Sequence, residues 1–147
     1  MEQPTIRFYN LGEAYGEFSN FAPYSIQLKS KTWPTVEHYF QAQKFAGTPH
    51  EQTIRKAKAP MKAAELGRSR KFKIRKNWDK MRDSVMYEAL KAKFTQHQDL
   101  QELLLSTEEA LLIEASPNDS YWGEGLDRKG TNRLGKLLVK LRTTLRK

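Results

Sequence analysis

Residues 33–45 read WPTVEHYFQAQKF, and the fold turns on them. Pro34 ends the extended segment before it. Thr35 follows directly, with a side-chain oxygen suited to accept a hydrogen bond from the first turn of a helix. VEHYFQAQKF then runs without a breaker until Gly47 and Pro49 stop it. Glu37, Gln41 and Lys44 fall at i, i+4 and i+7, one polar line on a helix otherwise built of Val36, Tyr39, Phe40 and Phe45. Such a helix is expected to pack on more than one side. Two readings stand for the polar line. It is an ordinary glutamate–lysine pair on a surface, or it is a carboxylate held beside aromatic rings, where lost hydration suits it to acid–base work.

Outward from this helix, TIRFYN reads as a short strand and YSIQLKSKTWP as a hairpin turning at Lys-Ser-Lys. Residues 49–58 and 60–67 read as two short helices, the second opened by Pro60 and closed by Gly67. KFKIRK is ambiguous between strand and loop. Asn77 is placed to cap a long helix, WDKMRDSVMYEALKAKF, whose Trp78, Met81, Val85, Met86, Ala89, Leu90 and Phe94 form one stripe. DLQELLLST adds a helix, and ALLIEAS reads as a buried strand. From Thr131 or Asn132 a last helix carries Leu134, Leu137, Leu138, Leu141 and Leu145 on one face. Lys136, Lys140, Arg142 and Arg146 are expected on the other. No repeat or linker divides the chain. The expectation is one compact α+β domain over 1–147, predominantly α-helical, with a short hairpin and a few strands and no βαβ regularity.

Composition narrows the chemistry. A chain of 147 residues with 7 Phe, 6 Tyr and 3 Trp can bury a core and is not disordered. It has no cysteine, so disulfides, thiolate zinc sites and cysteine nucleophiles are excluded, and a reducing, cytoplasmic setting fits. His38, His50 and His97 lack metal-ligand spacing, so no metal and no cofactor are expected. No apolar run approaches the ~18 residues of a membrane span. MEQPTIRFYN has no secretory pattern, and no membrane partner is expected. The net charge of +9, from 26 Lys and Arg against 17 Asp and Glu, favours phosphate on a metabolite or a nucleic acid. A solvated basic surface is the plainer account of most of those residues.

Two loops could hold a ligand. In GEFSNFAPY, Ser19 and Asn20 could bind one, or could fold back on their own backbone as a turn. LIEASPNDSYWGEGLDRKGTNRLG lies between a strand and a helix start, where backbone groups point outward. Gly125 to Gly130 has phosphate-loop spacing, but Thr131-Asn132 stand where Lys-Ser/Thr is required. Asp119, Glu124 and Asp127 lack calcium-loop spacing. What is left is Trp122 as a wall, glycines that permit close approach, and Asp119 as a candidate catalytic carboxylate; a loop whose tryptophan fills the core is the alternative. Two carboxylates with aromatic walls and cations suit cleavage of an N-glycosidic bond, where one acid stabilises an oxocarbenium-like charge and a carboxylate handles water.

YGEFSNFAPY, KTWPTVEHYFQAQKF, AAELGRSR, RKNWDKMRDSVMYEALKAKFTQH and NDSYWGEGLDRKGTNRLGKLL together resemble the YbiA-like, or NADAR, family, in order from about Ile6 to the last helix. The resemblance implies an N-glycosidase of phosphoribosylamino-pyrimidine intermediates of riboflavin synthesis. Such an enzyme releases ribose 5-phosphate and an aminopyrimidine. It further implies Glu37 and Asp119 as the acids and Trp78 as a pocket wall. Lys44 follows as a candidate for phosphate or for tuning Glu37, with Arg68 and Arg75 as phosphate candidates and Asn20, Trp122, Gly123 and Asn132 as binding residues. The implied partner is a small phosphorylated ribosyl-base metabolite, and nothing implies an oligomeric state. Two alternatives remain: a glycohydrolase removing ADP-ribose from guanine in ADP-ribosylated DNA, and a non-catalytic basic module binding through Lys136, Lys140 and Arg142.

Overall fold

The computed structural model describes residues 3–146. Its class is α+β and helix-dominated, as expected, and it divides into two compact units, residues 23–96 and residues 3–22 with 97–146.

The unit of residues 23–96 opens with strands β1 (Ile26–Leu28) and β2 (Lys31–Trp33), antiparallel with Ile26 opposite Trp33. Their turn is tighter than Lys-Ser-Lys. Only Lys29 and Ser30 lie outside the strands, at φ of 55° and 64°. That is the left-handed pair a two-residue hairpin needs, filled here by residues with side chains. Gln96 pairs with the backbone of Gln27 in both directions, at 2.8 and 2.9 Å, and so ties the long helix to β1.

Helix α1 (Val36–Gln43) starts where Thr35 predicts, its Oγ1 accepting from His38 N at 3.1 Å. Every residue of α1 is buried, because α2 (Pro49–Arg55), α3 (Pro60–Arg68) and α4 (Trp78–Gln96) all pack on it. The surface-pair reading of its polar line therefore fails. Prolines begin α2 and α3, where a missing N–H costs nothing. Gly67 does not end α3 but lies within it, for a reason that appears at the site. Segment 69–77 is irregular and held at two points. Phe72 stacks on His50 with centroids 3.9 Å apart, and Arg75 N donates to Lys44 O at 2.9 Å. The α4 stripe buries Trp78, Met86, Ala89, Leu90 and Phe94, as the pattern indicates, and also Lys93, which it does not. The Lys93 ammonium stands 5.7 Å from the Tyr24 ring and 5.5 Å from that of Phe94.

In the other unit β3 (Thr5–Phe8) and β4 (Leu111–Glu114) pair in parallel, Thr5 opposite Leu111 and Phe8 opposite Glu114. One 3₁₀ turn (Gly16–Phe18) follows β3; α5 (Gln98–Ser106) precedes β4 and α6 (Arg133–Leu145) closes the unit. β4 is less enclosed than its sequence suggests: Leu112 is buried, and Leu111, on the opposite face of the strand, is 44% exposed. Leu134, Leu137, Leu138 and Leu141 are the buried face of α6, and Gly135 lets it lie directly against the Leu112 carbonyl, where any Cβ would overlap. One expectation is overturned. Arg142 is not on the solvent face but 2% exposed, its Nη1 donating to Thr107 Oγ1 at 2.8 Å and Ala110 O at 2.9 Å. It stands four residues after Leu138, on the apolar stripe, where its guanidinium satisfies the turn after α5. Among the described residues, no helix is long and apolar enough to cross a membrane.

Candidate active site

The polar line of α1 is now concrete. Glu37 is 8% exposed and Gln41, one turn later, 7%; Gln41 Nε2 donates to Glu37 Oε2 at 2.8 Å. Gly67 makes this possible. A Cβ there would overlap the Gln41 carboxamide, so α3 can approach α1 at this level only as glycine. The neighbouring His38 takes no part. Thr35 Oγ1 stands 2.8 Å from its Nδ1 and the Ala57 carbonyl 3.0 Å from its Nε2, and burial holds the ring's pKa below the ordinary histidine value. A carbonyl only accepts, so Nε2 carries the proton and Nδ1 accepts from Thr35.

Lys44 ends the line at the C-cap of α1, half-buried. Its pKa is lowered chiefly by burial; Glu37 opposes the shift, while Arg70, Arg68 and Arg82 reinforce it. An amine so placed carries more of the neutral form, which can take a proton or attack carbon. Its Nζ lies 5.9 Å from the centre of the Phe40 ring, and Phe40 meets Trp78 at 5.2 Å with planes 52° apart. Trp78, 8% exposed, thus packs from α4 onto the Phe40 face of α1. Arg68 is the exposed last residue of α3. Arg75 is engaged differently, its Nη1 donating to Gln43 O at 3.4 Å beside the backbone bond to Lys44.

The remaining candidates lie in the other unit. Asp119 Oδ1 accepts from Tyr121 N and Trp122 N, both at 2.9 Å, so one carboxylate oxygen shapes the NDSYWGEG turn. Trp122 sits half-exposed, edge to face with Tyr121 at 4.8 Å. The glycines admit the loop's own backbone rather than an open approach. A Cβ at Gly123 would meet Asp119 O and Glu114 O at 2.9 Å, and one at Gly130 would meet Gly123 O at 2.6 Å. Asn132, left-handed at φ 53°, accepts from Glu114 N at 3.0 Å and donates to Leu112 O at 2.9 Å, bracketing β4 with its side chain. Asn20 is buried at 8%, and next to it Ser19 Oγ accepts from Phe21 N at 3.1 Å, the turn anticipated as an alternative. Glu124 is buried against Arg7 of β3, 3.3 Å away, and ties strand to loop.

With this geometry in place, comparison with known proteins identifies the family. The NADAR domain family matches residues 7–146. The chain belongs to the NADAR family. It is 50% identical over 145 residues to "N-glycosidase YbiA" of Escherichia coli K12, covering 99% of this chain and 91% of that one. It is 42% identical to the maize "Riboflavin biosynthesis protein PYRR, chloroplastic" over 98% of this chain, which spans 26% of that protein. The NMR structure of E. coli YbiA superposes with a TM-score of 0.91 over 99% of this chain and 86% of that one.

In this NADAR chain the residues group by unit. Glu37 and Lys44 on α1 belong with Trp78, Arg68 and Arg75 to one unit, whereas Asp119, Trp122, Gly123 and Asn132 lie between β4 and α6, with Asn20 in the same unit as these. Sequence reasoning missed the tie between Gly67 and Gln41, because a glycine near a helix end reads as a terminator and its partner is on another helix. It also passed over Arg70 and Arg82, whose proximity to Lys44 is tertiary.

Proposed function

We propose that this chain hydrolyses the N-glycosidic bond of phosphoribosylamino-pyrimidine intermediates of riboflavin synthesis, releasing ribose 5-phosphate and the aminopyrimidine. It is a hydrolase of N-glycosyl compounds, like the relatives it matches. The observation that carries the finer reading is the α1 line: a buried carboxylate, an amide donating to it, and an amine of lowered pKa on the same helix face. The riboflavin names of the maize and Vibrio vulnificus relatives support the substrate class. The single family match over 7–146 supports reading 1–147 as one NADAR domain.

In this reading the C1′–N bond breaks as positive charge develops at C1′ and the ring oxygen. Water adds its oxygen to C1′, and the departing nitrogen takes up a proton. Glu37 stabilises that charge or receives the proton of water. Lys44, two turns along the same helix face, tunes Glu37 through its charge. Trp78 stacks against the ligand. Asp119 enters as the second carboxylate on the strength of the family resemblance, acting through the oxygen the turn leaves over.

The test is incubation with a phosphoribosylamino-pyrimidine and, in parallel, with ADP-ribosylated DNA, followed by mass detection of freed base and sugar. Release of aminopyrimidine and ribose 5-phosphate supports the proposal. Release of ADP-ribose alone replaces it with the DNA glycohydrolase. No release from either refutes it.

A further inference from the structure

A second set of charges adjoins Glu37. Helix α1 presents Phe40 and Lys44 one turn apart, and α4 presents Trp78 and Arg82 one turn apart. The aromatic members touch, ring to ring at 5.2 Å, which places the cationic members beside that contact. A third element arrives from the other side. Gly67 of α3 sits against Gln41, a turn before Lys44, so Arg68 immediately after it emerges at the same level. Arg70 is bound back onto this corner, its Nη1 donating to Arg68 O at 3.2 Å. Segment 69–77 that follows is pinned by the Phe72–His50 stack and by Arg75 N on Lys44 O.

Cations strung along one helix are ordinary solvated surface. These come from three elements and converge on Lys44, which is half-buried and whose pKa is lowered first by burial and then by Arg70, Arg68 and Arg82, with Glu37 acting against the shift. Like charges gathered where water is partly excluded repel, and the arrangement is relieved by a bound anion. Guanidinium groups suit a phosphate in particular, since their forked donors match its oxygens in pairs.

We infer that Arg82, with Arg68 and Arg70, forms the site that holds the phosphate of the sugar, and so makes the enzyme selective for phosphorylated ribosylamines. This rests on the N-glycosidase reading and adds to it two residues, Arg70 and Arg82. Arg75 is assigned instead to bracing the end of α1. The phosphate is bound at the Lys44 end of the line, which leaves Glu37 at the sugar.

Calorimetric titration of the intact protein with ribose 5-phosphate and with ribose reads the site directly. The wild type should bind ribose 5-phosphate at least about tenfold more tightly than ribose, and Arg82→Gln should remove about tenfold of the former while leaving the latter unchanged. Arg82→Lys should recover part of the loss. Lys136→Gln on α6, which removes the same charge elsewhere, should change neither, and thermal melting confirms that each variant folds. Equal or undetectable binding of the two ligands by the wild type overturns the inference, as does an equal effect of Arg82→Gln and Lys136→Gln. Turnover of the phosphoribosylamino-pyrimidine without phosphate preference refutes the phosphate site alone. Phosphate preference without turnover refutes the glycosidase reading alone.

Discussion

Helix α1 and the NDSYWGEG loop each carry one of the two acids proposed for the reaction, yet they use their polar groups in opposite ways. In α1 the backbone is satisfied by the helix itself, so Glu37, Gln41 and Lys44 need not support the chain and are available to one another. The loop's backbone is paired irregularly, with Glu124 N on Glu114 O and Asn132 N on Gly123 O among its bonds, and side chains add to that pairing. Asp119 Oδ1 accepts two backbone N–H groups, Asn132 brackets β4, and Gly123 and Gly130 yield space to neighbouring carbonyls. A functional group on a helix can be altered with little cost to the fold, whereas one in such a loop answers for structure as well.

The sharpest way to break this contrast is at the two acids. Glu37→Gln should lower kcat by about 10²–10⁴-fold, the range for loss of a general acid or base, with a melting temperature close to wild type. Asp119→Asn keeps an oxygen acceptor for the turn and should lose activity while staying folded. Asp119→Ala removes that acceptor and should also cost about 1–2 kcal/mol of stability, read by urea denaturation. If Glu37→Gln proves as destabilising as Asp119→Ala, the contrast fails.

The helix side is sharpened next at Gly67. Gly67→Ala should displace Gln41 from Glu37 and lower kcat more than it raises KM. A compensating Gly67→Ala/Gln41→Ala pair should regain stability but not kcat, because the overlap is relieved and the donor is still missing. Recovery of both would reduce Gln41 to a packing residue.

On the loop side Asn132→Ala should cost about 1–3 kcal/mol, the range for taking their side-chain partner from the partly buried Glu114 N and Leu112 O. Substrate KM in the folded fraction should stay within twofold; a large rise in KM with unchanged stability would return Asn132 to the ligand.

The smallest effect concerns pH. His38 is held neutral in the fold, its pKa pushed below the unfolded value of 6.5 by burial. As pH falls through 6.5 the unfolded chain takes up a proton that the folded one resists, so stability declines from there down to the lowered folded pKa and is flat above. His38→Gln should flatten that part of a melting-temperature-against-pH curve, and an unchanged slope would assign it to other groups.

How far all this was legible depended on the range of the interaction involved. Thr35 as a cap, Pro60 as a helix opener and the leucine face of α6 follow from neighbours within a turn or two, and each stands where the pattern indicates. Arg142 did not, because a guanidinium on an apolar stripe is indistinguishable from a surface one until the Thr107 and Ala110 acceptors are brought to it. Lys93 is the same case on α4. At the site the α1 spacing was readable. That Gly67 serves Gln41, that Arg82 stands with Lys44, and that the loop glycines are filled by their own chain are all consequences of tertiary approach, which a linear pattern does not encode.

The parallel pairing of β3 with β4 has a consequence for how the protein is made. Thr5 must wait for Leu111, and everything from 23 to 96 emerges from the ribosome between them. The inserted unit is contiguous, its contacts close short loops, and it can acquire its structure early. The surrounding unit can be completed only after α6 has been synthesised. A chain stalled before Arg133 would therefore leave β4, with its buried Leu112, without the helix that packs on it, a state that chaperones and proteases are built to find.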